Sequence, residues 1–466
     1  MSKEDPRATI RSEVLRLTGP AVLTSLLQTL AFLADRIMLG RHGEVSLGSL
    51  QISGTILWSV FSLFFGALVG TVALVARRVG EGEHERAAII ARAAYGLAAL
   101  VGLVVAAVGV LGARTIAGLM APPESAEAII EAATGYMHIG FCAFPAMFLA
   151  GTGALILNGA GDTKTTFRIG ALVNLVNIGL NYLLIYGHEL GPVTVPELGA
   201  RGAALGTAIA YGIQFVLITR VLLSGRGPVT LRVRSTDATG TTLREAVARG
   251  RRELVRLSAP AVAERVVIHV GYVGFSWVVT VLGATAMAAN QALLTLESIC
   301  FLGAEGFGIA AATVVGQTLG RVDGPGAHQA GRFATLACAV SLTLCGLVIW
   351  ATASWSLPSF VAPGESGVEL VAAGLAAMPL LALAQPMMAS AVVLGHSLRG
   401  AGDTRSPVVA AFVGGLVVRV AGAWLLAVEL ELGLVGIWLA TTIDWTVRTL
   451  ILARVYQRGE WRAIEL

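Results

Sequence analysis

Asp35 lies inside the apolar stretch LLQTLAFLADRIMLG. Burying a carboxylate in a bilayer core costs roughly 2.5–3.5 kcal/mol on insertion scales, so such residues face a partner, a cavity or an ion path. The adjoining Arg36 projects about 100° away on a helix and makes a poor direct partner. Asn174, Asn177 and Asn181 follow in LVNLVNIGLNYLLIYG. Their spacing puts all three on one helix face. Carboxamide oxygens beside a carboxylate suit a hard cation. Hydrogen bonding between helices is the competing use of the same groups. Gln28 shares the helix face of Asp35, and Thr207, early in a later apolar stretch, offers a hydroxyl. Together these five residues (Asp35, Asn177, Asn181, Gln28 and Thr207) form a candidate cation site.

The elements that must position them are membrane helices. Of 466 residues, 55% are hydrophobic and 13% charged. The charged fraction is about half that of a soluble domain. Mean hydropathy is +0.76, and the 56 glycines suit helices packed through small residues. A spanning helix needs about 20 mostly apolar residues. Twelve such spans are expected, at 14–39, 47–76, 87–111, 128–157, 167–187, 200–223, 255–281, 287–319, 329–352, 367–397, 407–428 and 434–456. The fold expected is an all-α polytopic membrane protein.

The chain is a duplication. GAGDT occurs at Gly159–Thr163 and again at Gly400–Thr404, each with a proline the same distance upstream, Pro145 and Pro386. Pro20, Gly43, Gln51, Gly66 and Gly80 match Pro260, Gly283, Gln291, Gly306 and Gly320 at one constant offset. Glu197-Leu198-Gly199 matches Glu431-Leu432-Gly433 near the end, after a longer loop (GHELGPVTVPELG) in the first copy. Such symmetry recurs in secondary transporters, and six spans per copy gives both halves the same topology. The expected division is 1–223 for the first lobe, 224–254 for a linker and 255–466 for the second lobe. The glycines of GAGDT suit a tight turn, and Asp162 and Asp403 suit caps on the helices that follow.

Loop charge sets orientation. One side carries Arg7, Arg11, Arg77, Arg78, Arg86, Lys164, Arg168, Arg226, Arg232, Arg234, Arg249, Arg251, Arg252, Arg321, Arg332, Arg405, Arg458 and Arg462. The other has few bases and many acids, among them Glu124, Glu131, Glu197, Glu365 and Glu431. Both termini are therefore expected in the cytoplasm, with the net charge of +4 serving topology and not nucleic-acid binding. The N-terminal MSKEDPRATIRSEVLRL lacks the pattern of a cleaved leader. Within the linker, TTLREAVARGRRELVRL reads as a basic amphipathic helix on the membrane surface or as an ordinary linker obeying the charge rule. Cys142, Cys300, Cys338 and Cys345 lie in apolar stretches without metal-ligand spacing, and read as small buried residues. No nucleophile or metal constellation appears, so an enzyme is not expected.

Pro145 and Pro386 interrupt their helices' hydrogen bonding and are hinge candidates. The second copy replaces the polar set: Asp35 matches Phe275, Asn177 matches Val418 and Asn181 matches Gly422. It has its own charges instead. Glu264, Arg265 and Glu297 are expected to form a network between adjacent helices, static or serving a second proton or substrate site. Glu305, Arg419 and Asp444 also lie in its spans.

The sequence resembles the multidrug and toxic compound extrusion (MATE) family. The motifs that carry the resemblance are ADRIMLGRHG, LNGAGDTKTTF, LRGAGDTRSP, FGIAAATVVGQTLG, LVNLVNIGLNYLLIYG and ELGARGAALGTAIA, spread over essentially the whole chain. The resemblance implies two pseudo-symmetric six-helix bundles around a central cavity. It also implies a monomeric antiporter of the plasma (inner) membrane. Such a protein exports organic, often cationic or amphipathic compounds by alternating access, in exchange for Na⁺ or H⁺. It needs no other cofactor, and its partners are the small-molecule substrate and membrane lipid. The family's ion-coupling positions match Asp35, Gln28, Asn177, Asn181 and Thr207, so any Na⁺ would sit at Asp35, Asn177 and Asn181. Two departures stand out: some members carry an aspartate where Asn181 stands, and helix ten has QPMMAS, without the acid found in others. The alternative is a lipid-linked oligosaccharide flippase of related architecture, which needs a strongly basic cavity for phosphate.

Overall fold

A computed structural model describes residues 6–120, 127–190, 193–232, 242–361 and 367–466. Glu124, Arg234 and Glu365 of the loop-charge pattern lie outside the described residues. Twelve helices are long and apolar enough to cross a membrane. They are α1 (Pro6–His42), α2 (Gly48–Gly80), α3 (His84–Met120), α4 (Glu127–Gly159), α5 (Thr163–Tyr186) and α6 (Gly199–Ser224). The second copy gives α7 (Leu243–Val281), α8 (Ala284–Gly320), α9 (Gly324–Ala351), α10 (Val368–Ala401), α11 (Arg405–Glu429) and α12 (Gly433–Arg458). Many large apolar side chains on them point outward, Leu111 at 86% and Leu119 at 81% exposure among them. Surfaces of that kind belong against lipid tails, and the protein is integral to a membrane.

The packing repeats with the sequence. In the first copy α4 packs against α2, α3 and α6, and α5 packs on α6. In the second, α10 packs against α8, α9 and α12, and α11 packs on α12. The first glycine of GAGDT makes one of these contacts in each copy. A Cβ on Gly159 would meet the Val72 carbonyl, and one on Gly400 would meet the backbone of Ala312. Val72 and Ala312 are themselves equivalent at the offset of the repeat. The third residue of the motif takes positive φ, +85° at Gly161 and +100° at Gly402, a backbone region that favours glycine. The aspartates cap as expected: Asp162 Oδ1 accepts from Thr165 N at 3.0 Å, and Asp403 Oδ1 from Ser406 N at 3.0 Å.

The chain divides by packing into two compact units, Leu26–Ser258 and Met1–Ser25 with Ala259–Leu466. Their boundaries fall inside α1 and α7, near the equivalent residues Pro20 and Pro260. In the second unit the start of α1 contributes Val14 and Leu17 to the apolar core, and Gly306 of α8 lies against the backbone of Val22.

Several expectations change in detail. The segment before span seven is no separate surface helix: it is the first part of one continuous α7. Thr242 and Glu245 start it with reciprocal bonds, Glu245 N to Thr242 Oγ1 and Thr242 N to Glu245 Oε2, the capping-box arrangement. That first part packs in the first unit, where Ser258 Oγ accepts from Gly70 N at 3.2 Å and Gly250 faces Ala93. Between α5 and α6 the longer loop forms a short antiparallel hairpin, His188–Leu190 with Val193–Val195. Cys142 is exposed, whereas Cys300 and Cys338 are buried. Helices α4 and α10 run unbroken through Pro145 and Pro386, and α10 also contains Pro379. Replacing the caps tests the shared turn: Asp162→Ala and Asp403→Ala should each cost about 1 kcal/mol. Lowered thermal unfolding temperatures in detergent would show it, and an unchanged temperature in both variants would refute it.

Candidate functional site

The site in the first unit starts from two glycines. Gly202 and Gly206 stand four residues apart on α6, facing α5. Helices in lipid gain nothing from apolar burial against each other, so close approach depends on small residues at the contact. A Cβ on Gly202 would strike the Leu184 carbonyl, and one on Gly206 would strike the Asn181 side chain. The approach they permit aligns the polar face of α5 with α6 on one side and α1 on the other. Asn177 Nδ2 donates to Thr207 Oγ1 at 3.2 Å. Asn181 Nδ2 donates to Asp35 Oδ1 at 2.6 Å.

Four of the five expected residues are thus joined: Asp35 to Asn181 and Asn177 to Thr207. Gln28 is not. It is exposed, and among the described residues it has no hydrogen-bond partner. Asn181 is fully buried and its Oδ1 accepts no hydrogen bond. An orphaned buried carbonyl oxygen is uncommon and costs of order 1–3 kcal/mol. Here it stands on the same side chain that binds a carboxylate, so two oxygen acceptors converge without a donor between them. That arrangement is receptive to a cation.

Residues that the sequence reading missed complete the site. Tyr136 of α4 and Tyr211 of α6 lie within electrostatic reach of Asp35. One turn beyond Asp35 and Asn181, Leu39 and Ile185 close against Ala200 and Ala203 in a dry cluster. Tyr186 Oη ties α5 to α1 there through the Met38 carbonyl at 2.8 Å. Beyond that, His42 bridges Ser46 through Nδ1 at 2.8 Å and Glu197 through Nε2 at 2.9 Å. The His42 side of Asp35 is therefore shut off by an apolar plug and a polar clasp. His42 sits in the ADRIMLGRHG motif, where its spacing of seven from Asp35 was the available signal.

In the second unit no hydrogen bond or ion pair among the described residues joins Glu264, Arg265 and Glu297 directly; other charges stand between them. Successive helix residues point about 100° apart, so Glu264 and Arg265 face different neighbours. Glu264 takes Arg399 of α10, with Nη2 to Oε1 at 2.6 Å and Nε to Oε2 at 3.3 Å. Arg265 lies within electrostatic reach of Glu305, which His396 contacts at 3.2 Å. Glu297 lies within electrostatic reach of Arg419, Asp444 and Arg448, and Arg448 in turn lies within reach of Glu264. Arg399 and Arg448 were not singled out in the sequence.

The MatE family model matches residues 20–183 and again residues 260–425. The chain belongs to the MatE family. The two matched segments are the two copies of the repeat, and this is a family of transporters, not of enzymes. Among curated relatives, a Thermotoga maritima protein named probable multidrug resistance protein NorM is 24% identical over 97% of this chain and 93% of its own. The Vibrio cholerae multidrug resistance protein NorM is 27% identical over 97% and 95%. A solved MOP superfamily transporter from Pyrococcus furiosus superposes with a TM-score of 0.86 at 20% identity, covering 98% of this chain and 97% of that one. A solved Vibrio cholerae MATE transporter gives 0.86 at 14% identity over 97% of both. The fold is that of the MATE transporters.

Gly206 carries the local prediction for this MatE protein. Gly206→Val should destabilise it by about 1–3 kcal/mol, the usual cost of overpacking. Gly212→Ala, on the same helix but facing open space, should be neutral or stabilising, since alanine favours a helix interior over glycine. Thermal unfolding of the two variants checks the pair, and equal effects would sink the close-approach argument.

Proposed function

We propose that this MatE protein is a secondary active antiporter that exports organic, cationic or amphipathic compounds in exchange for Na⁺ or H⁺. The observation that carries the reading is the junction of half-buried Asp35 with buried Asn181, whose free Oδ1 stands on the side chain that binds the carboxylate. A cation arriving there gains a carboxylate and a neutral oxygen already desolvated. It also neutralises the one acid among Asp35, Asn177, Asn181 and Thr207. The names of the curated relatives support the drug-export part of the reading.

Ion binding shifts a conformational equilibrium only by its differential affinity for the states involved. Asp35 and Asn181 stand on different helices, so an ion held by both ties α1 to α5 directly. Loss of the ion leaves a single hydrogen bond in its place. Asn177 and Thr207 set the rotamer side of α5 from α6. Gln28 is a candidate only for a state in which α1 presents its other end. Pro145 and Pro386 remain hinge candidates inside α4 and α10, with the six-span halves 1–223 and 255–466 joined through 224–254. Loop charge supports both termini in the cytoplasm, and the family resemblance supports a monomer in the plasma (inner) membrane. Lipid and the small-molecule substrate are its partners. The flippase alternative is less well supported, because two of the second unit's interior arginines are closed on acids, Arg399 on Glu264 and Arg448 on Asp444.

Purified protein in proteoliposomes, loaded with a fluorescent organic cation, should expel it under an imposed Na⁺ gradient or an imposed pH gradient. Each gradient is applied alone to identify the ion. Asp35→Asn should abolish gradient-driven export. Asn181→Ala should raise the half-saturating ion concentration about tenfold, the equivalent of one charge-assisted hydrogen bond. Full gradient-driven export by folded Asp35→Asn protein would overturn the assignment.

A further inference from the structure

Helices α7, α8, α11 and α12 gather charges in the second unit that the first unit does not have. Asp444 is fully buried and receives two arginines. Arg448 Nε and Nη2 donate to Oδ1 and Oδ2 at 2.6 and 2.9 Å. Arg419 Nε lies 2.8 Å from Oδ2. Gly414 and Gly415 make room for this, since a Cβ on either would collide with Arg448. They belong to a π-helical stretch, Ala411–Val418, and a second one, Trp424–Glu429, follows Arg419. Interruptions of this kind concentrate at functional sites.

Arg399, Arg448 and Arg419 of this unit differ in one respect. Arg399 closes its fork on Glu264, and Arg448 closes its fork on Asp444. Arg419 does not. Among the described residues its one ion pair runs through Nε, which lies near Asp444 without a hydrogen bond, and neither terminal amino group has a hydrogen-bond partner. Its guanidinium is held between the rings of Phe275 and Trp445, 5.5 Å from each centroid. The side chain keeps 17% exposure. A purely structural arginine in a membrane helix gains by closing every donor on a protein acceptor. A flat guanidinium fixed by aromatic faces, with two parallel amino groups free, is a bidentate receptor for a carboxylate.

The repeat shows that the scaffold does not need these charges. Its offsets match Glu297, Arg419, Asp444 and Arg448 to Leu57, Ile178, Ala210 and Gln214, none of them charged. Phe275, which supports Arg419, stands at the position equivalent to Asp35. We infer that Arg419 binds the carboxylate of amphipathic substrates, with Phe275 and Trp445 fixing its guanidinium from behind. The inference rests on the export reading above and extends it to zwitterionic and acidic compounds. Glu297 is the acid that opposes such a guest. It is 9% exposed, its Oε1 has no partner, and it lies within electrostatic reach of Arg419.

The test is binding of two dyes to the purified full-length protein by fluorescence polarisation: a rhodamine with a free benzoate, and its methyl ester. The wild type should bind the acid about tenfold more tightly than the ester, as expected for one charge-assisted contact. Arg419→Gln should bring that ratio toward one. Glu297→Gln should raise it, because a repulsive charge is gone. Equal affinity of the wild type for acid and ester would overturn the inference while leaving the export reading standing. A ratio unchanged by Arg419→Gln would also overturn it, since a structural arginine would weaken both dyes alike. Binding of neither dye would count against both readings. The acid-to-ester comparison in the wild type needs no variant, so misfolding of Arg419→Gln does not remove the test.

Discussion

Helix backbones can touch in this protein only where a side chain is missing, and both units are built on that constraint. In lipid the apolar surface of a helix is already solvated by its own kind, so association depends on close packing and on polar contacts. Gly159 and Gly400 let α4 and α10 meet the backbones of α2 and α8. Gly202 and Gly206 do the same for α6 on α5. The polar sites follow from these approaches. Asn181 reaches Asp35 from an α5 that α6 holds at glycine distance, and Arg448 reaches Asp444 across the space left by Gly414 and Gly415. A Cβ on Gly206 would strike the Asn181 side chain itself, and one on Gly414 or Gly415 would strike Arg448.

The architecture was largely legible in the sequence because its signals are local or periodic. Span lengths follow from runs of apolar residues, and the duplication follows from GAGDT and the prolines above it. The motif is now resolved into parts with separate physical causes: a glycine for contact, a glycine for positive φ and an aspartate for a cap. Asp35 and Asn181 were also legible, since an acid and carboxamides in apolar runs have few places to go.

The charge partners of the second unit were not legible, and the reason is combinatorial. That unit holds several acids and several arginines within its spans, and sequence neighbours such as Glu264 and Arg265 point apart. The partner of Glu264 is Arg399, 135 residues away, and no local pattern selects it over Arg419 or Arg448. Gln28 failed for a related reason. Sharing a helix face with Asp35 fixes its direction around α1 but not the depth at which other helices pack. The compact unit that contains Asp35 begins only at Leu26, so Gln28 stands at the edge of the packed region while Asp35 stands within it.

Duplication followed by divergence explains where the chemistry lies. Residues that make the scaffold, such as Pro145 and Pro386 or Asp162 and Asp403, were kept in both copies. Asp35 in the first copy and Glu297, Arg419, Asp444 and Arg448 in the second were not. Where the first copy has Asp35, the second has Phe275, and that ring supports an arginine instead of an acid. Where the first copy has Ala210 and Gln214 on its last helix, the second has Asp444 and Arg448. Had these charges been required for a six-helix bundle to fold, both copies would carry them, because both bundles pack the same way. A buried charge without a folding role is a standing cost in a membrane. Its retention in one copy only is best accounted for by something that binds there, a cation beside Asp35 in the first unit and an anionic group beside Arg419 in the second.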